Sequence, residues 1–65
     1  MGKGFYPRLR EILIAYNCQY VRQGKGSHEI WMSPISKKSF SVPFTIVSKH
    51  TANAILQQAG INTKV

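Results

Sequence analysis

The chain begins with a helical pattern. Phe5, Leu9, Ile12, Leu13 and Tyr16 recur at the three- and four-residue spacing of one helix face, while Arg8, Arg10, Glu11 and Ala15 fall off it. This predicts an amphipathic helix over residues 5–16. Pro7 suits its first turn because it has no N–H to leave unpaired, and Asn17 suits a left-handed end. Ile14 lies off the stripe and reads as an ordinary surface residue. The period then changes: residues 18–23, CQYVRQ, are rich in β-formers without a helical stripe, and residues 27–33, SHEIWMS, form a second such run. The GKG between them, residues 24–26, supplies the backbone freedom of a reversing turn. SPISKKS, with Pro34, makes a second polar turn. SFSVPF, residues 39–44, alternates, with Phe40, Val42 and Phe44 expected on one face and Ser39, Ser41 and Pro43 on the other.

A last helix is predicted from an N-cap at Ser48. Ala52, Ile55, Leu56 and Ala59 form its apolar face, and His50, Asn53, Gln57 and Gln58 its polar one. Gly60 followed by Ile61 reads as a left-handed stop with the isoleucine folding back. The order is α-β-β-β-α, an α+β class. A three-stranded antiparallel sheet would need cover on one face, and both helices are available to supply it. Nothing divides the chain, so residues 1–65 are expected to form one domain.

Size and charge narrow the function. A 65-residue domain buries only about 60% of the surface its unfolded chain exposes, which leaves no room for a deep cleft. Nine Lys and Arg against two acidic residues give a net charge of +7, favouring a polyanionic partner. No apolar run approaches the roughly 18 residues of a membrane span, and no secretory leader is legible. Met1-Gly2 followed by Tyr6 departs from the myristoylation pattern, which wants Ser or Thr at that place. With one cysteine, Cys18, neither an internal disulfide nor a structural zinc site is expected. The cytoplasm is the expected compartment.

Several chemistries drop out. QGKGSH lacks the spacing of a phosphate-binding P-loop and the helix behind it. Ser27 and His28, adjacent on a strand, would project to opposite faces and so make a poor nucleophile–base pair. Cys18, His28 and His50 fall on three elements without ligand spacing, so no metal and no cofactor are expected. His28 remains, in the company of Arg22, Lys25, Lys37 and Lys38. An imidazole can take or give a proton near neutral pH, and cations attract phosphate. Such a set suits RNA cleavage, because ribose carries its own nucleophile in the 2′-OH and the protein need only move protons and hold the phosphate. Trp31, opposite in direction to Ile30 and Met32, could stack on a base or enter the core; the core is the expected place. His50 reads as a solvated residue of the second helix's first turn.

Arg22-Gln23, a glycine and lysine turn, and Gly26-Ser27-His28 followed by Ile30 and Trp31 resemble the signature strand of HicA-type toxins of bacterial toxin–antitoxin systems. The early amphipathic helix, VPF at residues 42–44 and ILQQAGI at residues 55–61 resemble the same family, so the likeness covers nearly the whole chain. Cys18 departs from it, standing where the family has a larger aromatic residue, and the turn before His28 is one residue longer than in many members. The resemblance implies a double-stranded-RNA-binding-domain-like fold and a ribosome-independent mRNA endonuclease, an mRNA interferase that blocks translation. It also implies catalysis by His28 and a HicB-type antitoxin that covers that histidine. Arg22, Lys25, Gly26, Ser27, Lys37 and Lys38 are the expected RNA-binding residues. The competing expectation is a non-catalytic RNA-binding module of the same fold. Such modules carry a lysine cluster at the start of the second helix, where this chain offers only Lys49.

Overall fold

In the computed structural model, which describes residues 4–65, α1 spans Tyr6–Ala15 and α2 spans Lys49–Gln58. Between them lie β1 (Gln19–Gln23), β2 (His28–Met32) and β3 (Ser39–Pro43), an antiparallel sheet in the order β1-β2-β3. Met1-Gly2, which departs from the lipidation pattern, lies outside the described residues.

Both helices stop by the same device. Asn17 is left-handed (φ 66°), its N–H donates to the Ile14 carbonyl, and the Cys18 N–H reaches back to that of Leu13 at 2.9 Å. Gly60 (φ 78°) and Ile61 repeat this with the carbonyls of Gln57 and Leu56. In each case the residue after the left-handed one, Cys18 or Ile61, is buried, the hydrophobic contact that accompanies this motif. Gly60 has a second constraint, since a Cβ there would stand 2.8 Å from Ile35 Cγ2. At the other end of α2, the Ser48 side chain accepts from the Thr51 N–H, capping the helix as its residue type predicts.

The helices share one face of the sheet. Leu9, Ile12 and Leu13 of α1 and Ala52, Ile55 and Leu56 of α2 bury against Trp31, Phe40 and Val42. Trp31, 2% exposed, sits opposite Tyr20 on one side and Phe40 on the other, which settles its place in the core. The other face, carrying His28, Ile30 and Met32 by alternation, has no helix over it. The α-β-β-β-α order and one-sided helices agree with the double-stranded-RNA-binding-domain-like architecture expected.

Two expected core residues lie elsewhere. Tyr16 is the residue after α1, where the chain leaves helical geometry; its ring is exposed and its hydroxyl hydrogen-bonds the Thr63 hydroxyl at 2.7 Å. Phe44 does not continue the Phe40–Val42 face, because β3 ends at Pro43 and a turn closes from the Ile46 N–H to the Pro43 carbonyl. Ile46 takes the buried position, leaving Phe44 41% exposed. Cys18, expected in the first strand, precedes it and is buried.

Candidate catalytic site around His28

Residues 23–28 are tied together by their own backbone and one side chain. The Gly24 N–H donates to the His28 carbonyl at 2.8 Å, and the His28 N–H returns to the Lys25 carbonyl at 3.2 Å. Gly26 takes the left-handed conformation (φ 62°), the one position of the GKG run with positive φ. The Gln23 amide donates to the carbonyls of both Gly26 and His28, at 3.2 and 3.1 Å, and so clamps the turn from outside. A side chain with this role carries no periodic signal in a sequence.

His28 opens β2 on the sheet face without helices and is exposed. Its Nδ1 lies 3.2 Å from the Lys25 carbonyl oxygen. A carbonyl can only accept, so this contact exists when Nδ1 carries the proton, which leaves the lone pair on Nε2. The contact orients the ring, and in the neutral form that makes it Nε2 is the nitrogen free to accept a proton.

Arg22, opposite Ile30 on β1, falls on the same open face, and its guanidinium donates to the Gln23 carbonyl at 3.3 Å. Lys25 and Gly26 are exposed in the turn, and Ser27 is half-buried. The Ser27 carbonyl accepts the Phe44 N–H at 2.9 Å, joining the turn to the loop after β3. Lys37 and Lys38 are not part of this cluster. They lie in the β2–β3 connection, beside Met32 and Ser39, at the far end of β2 from His28. The four residue steps of β2 from His28 to Met32 separate the two ends by roughly 13 Å. His50 is exposed in the first turn of α2.

The electrostatics around His28 are one-sided. Among the described residues the single ion pair is Arg8–Glu11 on α1 at 3.4 Å, exposed at both ends, which leaves Arg22, Lys25, Lys37 and Lys38 without a carboxylate partner. Glu29, next to His28 in sequence, points to the helix side. There it accepts from the Tyr6 hydroxyl at 2.8 Å and the Trp31 indole at 3.0 Å. Burial, with Glu29 adding to it, raises the Tyr6 pKa above its usual value. Burial likewise raises that of the Cys18 thiol, making it a poor nucleophile. No three His, Cys, Asp or Glu side chains among the described residues come together as metal ligands. No helix among them is long and apolar enough to cross a membrane.

A family model described as the HicA toxin of bacterial toxin–antitoxin systems matches residues 6–61. No curated protein and no solved structure matches the chain significantly. The match runs from the first residue of α1 to the buried isoleucine that closes α2, and so includes every element and the whole His28 turn.

Proposed function

The chain belongs to the HicA toxin family of bacterial toxin–antitoxin systems, and from that premise we propose that it is a metal-independent endoribonuclease, an mRNA interferase, with His28 as its catalytic base. A toxin of such a system has a cognate antitoxin. In this reading the antitoxin is of the HicB type and silences the toxin by covering His28.

The observation that carries the reading is an exposed imidazole whose Nδ1 is engaged by the Lys25 carbonyl at 3.2 Å. Its free Nε2 accepts the proton of a ribose 2′-OH, and the alkoxide attacks the adjacent phosphorus in line with the departing 5′-oxygen. The new P–O bond closes a 2′,3′-cyclic phosphate while the P–O5′ bond breaks. The 5′-oxygen takes a proton from solvent at this open site. Lys25 and Arg22 attract the scissile phosphate and offset charge on its oxygens as the attack proceeds. Gly26 and Ser27 let the strand approach the turn, and Lys37 and Lys38 hold phosphates farther along it. The substrate would be met in the cytoplasm, without the ribosome.

The test compares the protein with His28→Ala on labelled RNA in chelator, followed by end-group analysis. We expect cyclic-phosphate and 5′-OH ends from the wild type, and at least a roughly 10²-fold loss in the variant with RNA binding kept. Equal cleavage by both proteins, or 3′-OH ends, would overturn the mechanism.

A further inference from the structure

We infer that Gln23 is a positioning residue for His28, holding the turn so that the Lys25 carbonyl meets Nδ1 and the neutral ring keeps its proton there. This deepens the ribonuclease reading, and rests on it for the consequence in cleavage, by naming what keeps Nε2 of the ring free to act as the base.

The need for such a device comes from imidazole chemistry. In water the neutral side chain of histidine favours the proton on Nε2, the wrong place for a base that must accept at that atom. A carbonyl that meets Nδ1–H reverses the preference, because the hydrogen bond made by one nitrogen sets the role of the other. Here the acceptor is the Lys25 carbonyl, 3.2 Å from Nδ1, and the same oxygen also takes the His28 N–H at 3.2 Å. Both contacts are at the long end of the hydrogen-bond range. Lys25 stands between two glycines, so the turn's own residues do little to fix where that oxygen points.

Gln23 supplies the constraint. Its one amide nitrogen donates to the Gly26 carbonyl at 3.2 Å and to the His28 carbonyl at 3.1 Å. Two acceptors converge on it, so the NH₂ end of the amide, not its oxygen, has to face the turn. The Gly26 carbonyl belongs to the peptide just after that of Lys25, and the His28 carbonyl to the residue that bears the ring. The amide therefore joins the two pieces of backbone whose relative position sets the contact between Nδ1 and the Lys25 oxygen. The other ties are made by backbone alone, Gly24 N–H to the His28 carbonyl at 2.8 Å and Phe44 N–H to the Ser27 carbonyl at 2.9 Å. They survive a change of side chain at position 23, which is exposed, so a substitution there tests the amide and not the existence of the turn.

The test reads the proton directly, from long-range ¹H–¹⁵N imidazole spectra of the RNA-free protein at a pH where its histidines are neutral. His28→Ala assigns the signals, and exposed His50 in the same spectrum is the reference. The wild-type His28 ring should carry its proton on Nδ1. Gln23→Met keeps the length of the side chain without a donor, and Gln23→Glu keeps its shape but turns acceptors toward the two carbonyls. Both should move the His28 proton toward Nε2 and leave His50 unchanged. Gln23→Met should also lower the cleavage rate at saturating RNA about 2- to 10-fold, the population equivalent of one neutral hydrogen bond, with KM kept within about twofold. A wild-type ring protonated on Nε2, or a His28 spectrum that neither variant changes, would overturn the inference. So would a moved proton with an unchanged rate. A raised KM at an unchanged saturating rate would make Gln23 an RNA contact and overturn it as well. Because the spectra need no RNA, a wild type that fails to cleave would defeat the nuclease reading alone, and the placement of the proton by Gln23 is decided separately.

Discussion

The two ends of the central strand are both closed by polar, lysine-containing turns, and they are built in opposite ways. At the His28 end, Lys25, Gly26 and His28 are exposed, and the turn is held by backbone contacts and the exposed Gln23 amide. At the Lys37 end, Ser33 is fully buried. Its hydroxyl donates to the Ala59 carbonyl at 2.6 Å and accepts from the N–H groups of Ile35 and Ser36. That single oxygen stitches the β2–β3 connection to the end of α2, where Gly60 lies against Ile35. One turn presents chemistry outward, while the other joins elements. Residue type alone does not separate them: each carries serine, lysine and a left-handed residue, Gly26 in one and Lys37 in the other.

The contrast can be broken from either side. The largest effect on activity is expected at the His28 end. His28→Ala should remove cleavage by the factor given above and shift stability by no more than about 0.5 kcal/mol, as exposed sites do. A variant that also unfolds would erase the distinction. The largest effect on stability belongs to the other end: Ser33→Ala leaves the Ala59 carbonyl and two N–H groups short of a partner. Urea unfolding should show a loss of about 2–3 kcal/mol, with cleavage per folded molecule unchanged. Next come the cations. Lys25→Gln should slow cleavage roughly 3- to 10-fold at saturating RNA, a loss limited by solvent screening. The double change Lys37→Gln and Lys38→Gln should leave that rate intact while lowering the salt dependence of single-strand binding by a log–log slope of about 1.4. Reversed effects would mean that the strand is cut at the Lys37 end.

The smallest effect is on pH dependence. The buried Cys18 thiol has its pKa raised, so the unfolded chain gives up that proton first as pH rises. Its stabilising contribution is complete below the unfolded value of about 8.5 and is lost above it. Wild-type stability should therefore fall more steeply than that of Cys18→Ala as pH rises above about 8.5. Identical curves would show that the thiol is freely hydrated.

Periodicity and cap residues, which are local, were sufficient to place both helices, all three strands, the left-handed stops at Asn17 and Gly60, and the capping role of Ser48. They also placed His28 at the start of a strand, beside Arg22 and Lys25. Decisions that depended on a partner distant in sequence were not legible. Phe44 extended the alternation of Phe40 and Val42, but the turn after Pro43 sends Ile46 inward instead. Tyr16 extended the α1 stripe, but the helix had already ended. Ser33 looked like any turn serine until α2 brought the Ala59 carbonyl to it across 26 residues of chain. Lys37 and Lys38 shared a strand pair with His28 in the sequence, and the antiparallel register put them at its other end.

What the amino-acid order determined by itself was thus the succession of elements, a strongly cationic surface and one titratable ring at a strand's edge. Only the tertiary structure decided which sheet face stayed open, which cations lie at the same end of the strand as that ring, and which aromatic was left uncovered after β3. The physical reason is that a helix or strand repeats its environment with a fixed period, readable from neighbours in sequence. Turns have no period, and the exposure of their side chains is set by whatever folds over them.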